Sequence, residues 1–113
     1  MRYRIESLAT FDREVKRLGK RYLSIAKDII KLREELLENP FLGTDLGGGL
    51  RKIRMRIASK GKGKSSGARV ITFTVLAAVD ETEIDLLYIY DKAERESVSA
   101  DEILELLKRN GLK

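Results

Sequence analysis

Residues 51–78 read RKIRMRIASKGKGKSSGARVITFTVLAA, and this stretch decides the fold. From Lys52 to Ile57 basic and apolar residues alternate, which predicts a strand with one buried face and one cationic face. Residues 59–67 consist of glycine, lysine and serine and predict a loop. Val70 to Ala78 is β-branched and apolar on both faces, which is typical of a central strand. The stretch therefore predicts two neighbouring strands joined by a basic loop.

The chain beyond this stretch predicts one more strand and a helix. Glu83 to Tyr90 reads as a strand after the turn region 80–82, so that three strands form an antiparallel meander. Ser99 and Glu102 stand at the N-cap and N3 positions of a capping box, which predicts that a helix begins there. Asn110-Gly111 predicts its end.

The residues before this stretch predict a strand and two helices. Arg2 to Glu6 alternates as a short strand would, and Thr10 to Gly19 has helical spacing with Thr10 as N-cap. Apolar residues from Tyr22 to Leu36 recur at intervals of three and four, and Asn39-Pro40 stops that second helix. The two helices are expected to form a hairpin. The glycine-rich residues 43–49 are expected to be a flexible connector.

The order of these elements predicts an α+β fold. An N-terminal strand, a two-helix hairpin, a three-stranded antiparallel meander that completes a small sheet, and a C-terminal helix follow one another. We expect the helices to pack on one face of the sheet. With 113 residues, of which 42% are hydrophobic, residues 1–113 are expected to form a single domain. No apolar run of about 18 residues occurs, so we expect no membrane span, no signal peptide and a cytoplasmic protein.

The missing residue types narrow the chemistry. The chain has no cysteine and no histidine. Catalysis by Ser-His-Asp, Cys-His or a histidine-bound metal is therefore excluded, and a catalytic group must be Lys, Arg, Tyr, Ser or a carboxylate. No cluster of acidic residues suggests an all-oxygen metal site. We expect neither a metal nor a cofactor.

Positive charge is concentrated in one segment. Residues 80–113 carry 5 basic and 10 acidic side chains, whereas residues 51–69 carry eight basic ones and no acidic one. Such a segment attracts polyanions, and the phosphates of RNA or DNA are the usual target. The alternative is a solvated charged face beside a flexible loop. The eight cations are Arg51, Lys52, Arg54, Arg56, Lys60, Lys62, Lys64 and Arg69.

Other residues near this segment are also candidates. Tyr88 and Tyr90 lie on one face of the last predicted strand and could stack on bases, the alternative being that Tyr88 is core and Tyr90 half-buried. Lys92 follows that strand at its end. Gly63-Lys64-Ser65 matches part of a phosphate-binding P-loop, but Ala58 stands where that motif needs glycine, and the loop joins two strands.

Four segments together resemble a known family: 49–54 (GLRKIR), 59–64 (SKGKGK), 67–71 (GARVI) and 87–92 (LYIYDK). The order of elements and these segments resemble the RelE/ParE superfamily of toxins from type II toxin-antitoxin systems, closest to its HigB-like branch. The resemblance implies the RelE-like fold and a ribosome-dependent mRNA endonuclease, or mRNA interferase, that inhibits translation. It also implies partners: a cognate antitoxin, the ribosome, mRNA and, through the antitoxin, operator DNA. ParE relatives instead inhibit DNA gyrase.

The resemblance also implies roles for single residues. The basic strand of RelE-type toxins corresponds to Lys52, Arg54 and Arg56, and the arginine that opens the next strand corresponds to Arg69. A lysine of the family's C-terminal motif is kept as Lys92, but its neighbouring arginine is lost, with Arg95 as a substitute candidate, and Ser99 stands near the family's C-terminal tyrosine. The catalytic candidates are Lys52, Arg54, Lys60, Arg69 and Lys92. The RNA-binding candidates are Arg51, Arg56, Lys62, Lys64, Ser65 and Tyr90.

The expected reaction needs no metal. The ribose 2′-hydroxyl attacks the adjacent phosphate and leaves a cyclic phosphate end, while Arg54 and Arg69 stabilise the extra negative charge of the transition state. The general base stays open among Lys52, Lys60, Tyr90 and the loop lysines, because crowding by other cations lowers the pKa of a lysine. A ParE-like gyrase inhibitor and a noncatalytic RNA-binding module are the alternative functions.

Overall fold

The computed structural model describes residues 2–61 and 63–112 and confirms the α+β fold. Besides the regular elements, two short 3₁₀ turns, Ala58–Lys60 and Lys64–Ser66, lie between the third and fourth strands. The strands and helices in chain order are β1 (Arg2–Ser7), α1 (Ala9–Gly19), α2 (Ile25–Glu38), β2 (Thr44–Gly47), β3 (Leu50–Met55), β4 (Ala68–Ala78), β5 (Glu81–Asp91) and α3 (Ala100–Arg109).

The strands form one sheet in the order β1-β5-β4-β3-β2. The predicted antiparallel meander is β3-β4-β5, and β4 is the central strand, as its apolar residues on both faces predict. β1 adds to the far side of β5 as a parallel strand. Along the chain, helices α1 and α2 connect β1 to β2. The helix hairpin therefore joins the two edge strands of the sheet.

The predicted flexible connector, residues 43–49, is wrong in part because it contains β2. Thr44 and Asp45 pair with Lys52 and Arg51, and the backbone N–H of Gly47 donates to the Asp45 side chain over 2.7 Å. β2 is a four-residue edge strand with every residue exposed, so it carries no alternation of apolar and polar residues. Its pairing to β3 therefore left no sequence signal.

The helices do not all pack on one face of the sheet, contrary to the expectation. Helices α1 and α2 cover the face that includes Val70 and Ile53. Helix α3 covers the opposite face through Ile103, Leu106 and Leu107, against Ile71 and Leu87 of the sheet. Adjacent residues of a strand point to opposite faces, so Val70 and Ile71 contribute to two separate cores. The sheet is thus the middle layer of three.

A β-bulge in β5 decides which side chains reach the α3 face. Ile71 pairs with Tyr88 and Thr72 pairs with Leu86, which leaves Leu87 as an extra residue. A bulge of this kind shifts the alternation along the bulged strand by one residue. Tyr88 and Leu87 consequently pack with the α3 cluster, and Ile89 packs with the α1 and α2 cluster.

All three helices end where the sequence predicts, at Gly19, Glu38 and Arg109, but only α3 also begins as predicted. The capping box of Ser99 and Glu102 is formed in both directions, as predicted. Thr10 is not an N-cap: Leu8 holds that position, and the buried Thr10 hydroxyl donates to the Leu87 carbonyl over 2.5 Å. Tyr22 precedes α2, which begins at Ile25. In both cases a tertiary contact uses the side chain that the local pattern had assigned to the helix.

Candidate functional site

The candidate site is a row of side chains that crosses three strands at the end of the sheet beside the basic loop, residues 59–67. Arg54 of β3 pairs with Arg69 of β4, which pairs in turn with Tyr90 of β5. Side chains directly opposite on neighbouring strands have Cβ atoms about 5 Å apart. Two arginines side by side repel each other unless an anion lies between them, so this basic row is suited to bind a phosphate group.

Arg54 is the exposed cation of the row. Ile53 and Met55 are buried against α1 and α2, so the alternation directs Arg54 to the opposite face of the sheet. Lys52 lies one step further along the same face, opposite Ile71. Neither Arg54 nor Lys52 has a hydrogen bond or an ion pair with any residue in the ranges 2–61 and 63–112. Both charges are therefore available to a ligand. The exposed Arg56 lies one step nearer the loop.

Arg69 lies beneath the basic loop and is buried. Its guanidinium donates to the carbonyl of Ser65 over 2.9 Å and to the carbonyl of Lys64 over 3.2 Å. These bonds use only part of a donor set that has five N–H groups. Arg69 therefore holds the second half of the loop and places a fixed positive charge under it.

Lys60 is turned inward rather than toward solvent. Its ammonium donates to the buried Asp91 carboxylate over 2.8 Å and to the Ser66 carbonyl over 2.7 Å, and its side chain is only 13% exposed. The same ammonium lies 5.5 Å from the centroid of the Tyr22 ring. Lys60, one of the catalytic candidates from the sequence, thus has a carboxylate as its charged partner instead of other cations.

The exposed part of the basic loop is short. Lys64 extends to solvent and lies 3.7 Å from a Glu35 carboxylate oxygen of α2, and Ser65 is exposed beside it. The RNA-binding candidate Lys62 lies outside the described residues. The loop contributes Lys64 and Ser65 to the same end of the sheet as Arg54.

Arg51 lies on the other face of β3 and binds the segment that follows α2. Its guanidinium donates to the carbonyls of Phe41 and Gly43, over 2.9 Å and 3.2 Å, and lies over the Phe41 ring. The structure does not bring Arg51 together with the basic row. Lys52, Arg54, Arg69 and the loop do come together, and this arrangement can bind a polyanion and offset charge on a phosphate.

A family model described as the RelE toxin of the RelE / RelB toxin-antitoxin system matches residues 9–111. The chain belongs to the RelE toxin family. It is therefore the toxin of a toxin-antitoxin system, as the four resembling segments predicted. The match covers both helices of the hairpin, the basic row and α3. Membership of the family implies a cognate antitoxin.

In this RelE-family toxin Tyr90 is buried and Tyr88 is half-buried, the reverse of the structural alternative considered from sequence. Their ring centroids are 6.3 Å apart, so they do share one face. The Arg95 guanidinium lies over the Tyr90 ring, 5.8 Å from its centroid, and the Tyr90 hydroxyl meets no hydrogen-bond partner among the described residues. Burial raises the pKa of Tyr90 despite the nearby charges of Arg69 and Arg95. A raised pKa opposes a role for Tyr90 as general base.

The residues after β5 of the RelE-family toxin have local partners. Lys92 donates to the Glu96 carbonyl over 2.9 Å, and its backbone N–H donates to Gly67 at the end of the loop. Arg95 pairs with Glu102 at 2.7 Å, and this contact raises the pKa of Arg95. Ser99 is the N-cap of α3. Lys92 thus lies beside the loop, whereas Ser99 has a structural role.

Sequence reasoning missed Asp91 and Tyr22. The Asp91 carboxylate is fully buried and accepts hydrogen bonds from Lys60, from the Tyr22 hydroxyl and from the Ala93 backbone. Burial would raise the pKa of Asp91, but these three bonds outweigh it and hold the pKa below its ordinary value. The available signal was an acidic residue that directly follows the apolar run 86–90 at the end of β5.

An apolar groove of about 470 Å³ lies between α3 and the β2–β3 side of the sheet and reaches Lys52. Leu46 and Leu104 are its most exposed apolar residues, at 42% and 41%. Over the described residues no helix has the length and apolar character needed to cross a membrane. The described part of the chain also has no group of three or more acidic side chains placed to share a metal ion.

Proposed function

We propose that this toxin is a ribosome-dependent mRNA endonuclease that inhibits translation. The observation that carries the proposal is the basic row, in which exposed Arg54 stands directly opposite buried Arg69 with Lys52 and the basic loop around them. A site with exposed cations over a fixed arginine fits a phosphate that gains negative charge as it reacts. The proposal locates the reaction in the cytoplasm, where ribosomes are.

The proposed reaction is an attack of the ribose 2′-hydroxyl on the neighbouring phosphate. The bond from phosphorus to the 5′-oxygen breaks, and the products are a 2′,3′-cyclic phosphate and a 5′-hydroxyl end. Arg54 contacts the phosphate directly in this scheme, and Arg69 acts from below through its charge. The protein contributes orientation and charge stabilisation.

The contacts of the base candidates support dependence on the ribosome. Lys60 is bonded to Asp91, and Tyr90 is buried with a raised pKa, so neither is placed to accept a proton from the 2′-hydroxyl. Lys52, which lies beside the basic row on the same face, has no charged partner in the described ranges. Of the loop lysines, Lys64 lies 3.7 Å from a Glu35 carboxylate oxygen. An enzyme with so few proton acceptors needs a substrate that another body holds for in-line attack. The decoding ribosome holds mRNA in this way.

The cognate antitoxin is proposed to cover the basic strand with an acidic or helical segment. The apolar groove ends at Lys52, so one amphipathic segment could fill the groove and offset that charge. Contact of the toxin with operator DNA would then be indirect, through the antitoxin.

The test is primer extension on an mRNA in a translating extract, with and without purified toxin, beside the same RNA without ribosomes. We expect new 5′ ends in the translated sample alone. A supercoiling assay with purified gyrase runs in parallel, because a ParE-like inhibitor would block gyrase and leave RNA intact. Binding without cutting would identify a noncatalytic RNA-binding module. Either of these results overturns the proposal.

A further inference from the structure

A fully buried carboxylate ties the basic loop to two other parts of the fold. Asp91 ends β5, and its Oδ1 accepts from Lys60 over 2.8 Å and from the Ala93 backbone over 2.9 Å. Its Oδ2 accepts from the Tyr22 hydroxyl over 2.5 Å. Tyr22 belongs to the turn between α1 and α2, so the carboxylate joins that turn, the loop and the end of β5.

The loop has further anchors on both sides of Lys60. At its start, Ser59 exchanges hydrogen bonds with Ser24, and Ala58 donates to Asp28. At its end, the Gly67 carbonyl accepts from the backbone N–H of Lys92 over 3.0 Å. Two side chains therefore tie the middle of the described loop to the sheet: Arg69 donates to the Lys64 and Ser65 carbonyls, and Lys60 bonds to Ser66 and Asp91.

The Lys60–Asp91 ion pair has a desolvation cost, which indicates that it does more than fill space. Taking a lysine and an aspartate out of water is expensive, and an apolar pair of similar volume would hold the same space at least as well. The ion pair also leaves one loop lysine fewer for contact with RNA, since Lys60 points at Asp91 while Lys64 points at solvent. A lysine used in this way orders the loop instead of binding the ligand.

We propose that Asp91 is a positioning residue, which, through its buried ion pair with Lys60, holds the basic loop over Arg69 in the form that binds RNA. This inference rests on the proposed function for its RNA readout, but the position of the loop can be measured without it. We call the Lys60–Asp91 ion pair the latch. The Lys60–Asp91 latch acts on substrate binding and leaves the chemistry at Arg54 unchanged.

The first measurement is limited proteolysis of the native toxin with trypsin, followed by mass spectrometry of cleavage after Lys64. In Lys60→Met the loop loses its tie to Asp91 while Arg69 still holds Lys64 and Ser65, and we expect cleavage there to be about tenfold faster than in the wild type. Lys60→Arg keeps a cation that reaches Asp91 and should restore most of the protection. Asp91→Asn should behave as Lys60→Met does. If the Asp91→Asn variant does not fold, Lys60→Met and Lys60→Arg still decide.

The matched control is Arg17→Gln. Arg17 makes an ion pair of 2.9 Å with Glu94, three residues beyond Asp91, and it has no hydrogen bond or ion pair with the described residues of the loop. This variant loses an ion pair of the same region and should keep wild-type protection after Lys64. Equal loss of protection in Arg17→Gln would mean that any ion pair near the end of β5 orders the loop, and would overturn the proposal.

The second measurement is the kinetics of mRNA cleavage on ribosomes. For Lys60→Met we expect KM to rise about tenfold with kcat within about twofold of the wild type, since only binding is weakened. A released loop with wild-type KM would overturn the positioning role, and so would a folded Lys60→Met whose loop stays protected. If the wild type cuts no RNA, the proposed function fails, but the proteolysis result still shows whether the latch holds the loop.

Discussion

Asp85 is a buried acid whose surroundings are themselves acidic. Neither carboxylate oxygen meets a hydrogen-bond donor in the described part of the chain, and its side-chain neighbour on β5 is the carboxylate of Glu83. Burial, with further contributions from Glu83 and Glu6 that outweigh Arg4, raises the pKa of Asp85 to about 7. The protonated acid can donate to Glu83, whose own pKa is lowered by this bond and by Arg4. The two groups titrate as a pair.

Replacement of Asp85 by asparagine should change how stability depends on pH. Because the folded state holds the Asp85 proton more tightly than the unfolded state, this residue favours folding at low pH and loses that contribution as pH rises from about 4 to about 7. The loss is of the order of a few kcal/mol. Urea unfolding at several pH values should show that Asp85→Asn is more stable than the wild type at pH 8 and that the difference shrinks toward pH 4.

The control for this prediction is Glu96→Gln, since the Glu96 side chain is 92% exposed. Its stability should follow the wild-type curve at every pH. Parallel curves for the wild type and Asp85→Asn would mean that Asp85 is ionised at little cost in the folded protein.

The Tyr90 hydroxyl is buried without a partner in the described ranges, which makes Tyr90→Phe informative. Removal of an unsatisfied buried hydroxyl should leave the free energy of unfolding unchanged or raise it by about 1 kcal/mol. The ring stays beneath Arg95, so mRNA cleavage should also stay at the wild-type rate. Thermal unfolding and primer extension measure the two effects. A folded Tyr90→Phe that no longer cuts RNA would assign the hydroxyl a part in the chemistry.

At the scale of single elements, the hairpin of β3 and β4 with its loop depends on one close approach. A Cβ atom on Gly67 would lie 2.2 Å from the Met55 carbonyl oxygen, whereas one on Gly63 would meet nothing within 4 Å. Neither glycine has a positive φ, so the comparison isolates the contact from backbone strain.

Gly67→Ala should therefore destabilise the protein strongly, by about 2 kcal/mol or more, because the obstacle is backbone and cannot rotate away. Gly63→Ala should be neutral within about 0.5 kcal/mol. Chemical denaturation of both variants gives the two values. If the two alanine variants are equally stable, the loop does not pack against the end of β3 as described.

The sequence predicted most elements because their signals are local. Alternation placed Lys52 and Arg54 of β3 on one face, and the capping box placed the start of α3. The face that α3 covers was not predictable, because it depends on a path through space after β5. Nor was β2, a four-residue exposed strand whose register is defined only by its partner. The bulge at Leu87 likewise leaves no mark in the pattern of residues.

The candidate site was predictable only where its signals are local in the sequence. Arg54 and Lys52 follow from the period of one strand, but Lys60 meets Asp91 across 31 residues of sequence. Only the folded register brings them together. A cluster of cations in a sequence therefore does not tell which of them bind a ligand and which, like Lys60, are bound internally.

For the whole molecule, the three-layer arrangement leaves one region of the sheet open. Helices α1 and α2 cover one face, and α3 covers the part of the other face around Ile71 and Leu87. The basic row lies at the end of that second face, where exposed Arg54 has no partner within residues 2–61 and 63–112. The fold thus keeps α3 and the basic row on the same face of the sheet.

If this open basic row cuts mRNA on the ribosome, the rate of mRNA cleavage on purified stalled ribosomes should depend on Arg54. Wild-type toxin is compared with Arg54→Gln and with the control Arg13→Gln, which removes an exposed arginine from α1. We predict cleavage by the wild type and by Arg13→Gln, and a loss of about 100-fold or more in Arg54→Gln with unchanged thermal stability. Wild-type cleavage by Arg54→Gln, or intact mRNA with all three proteins, would mean that the basic row does not cut mRNA on the ribosome.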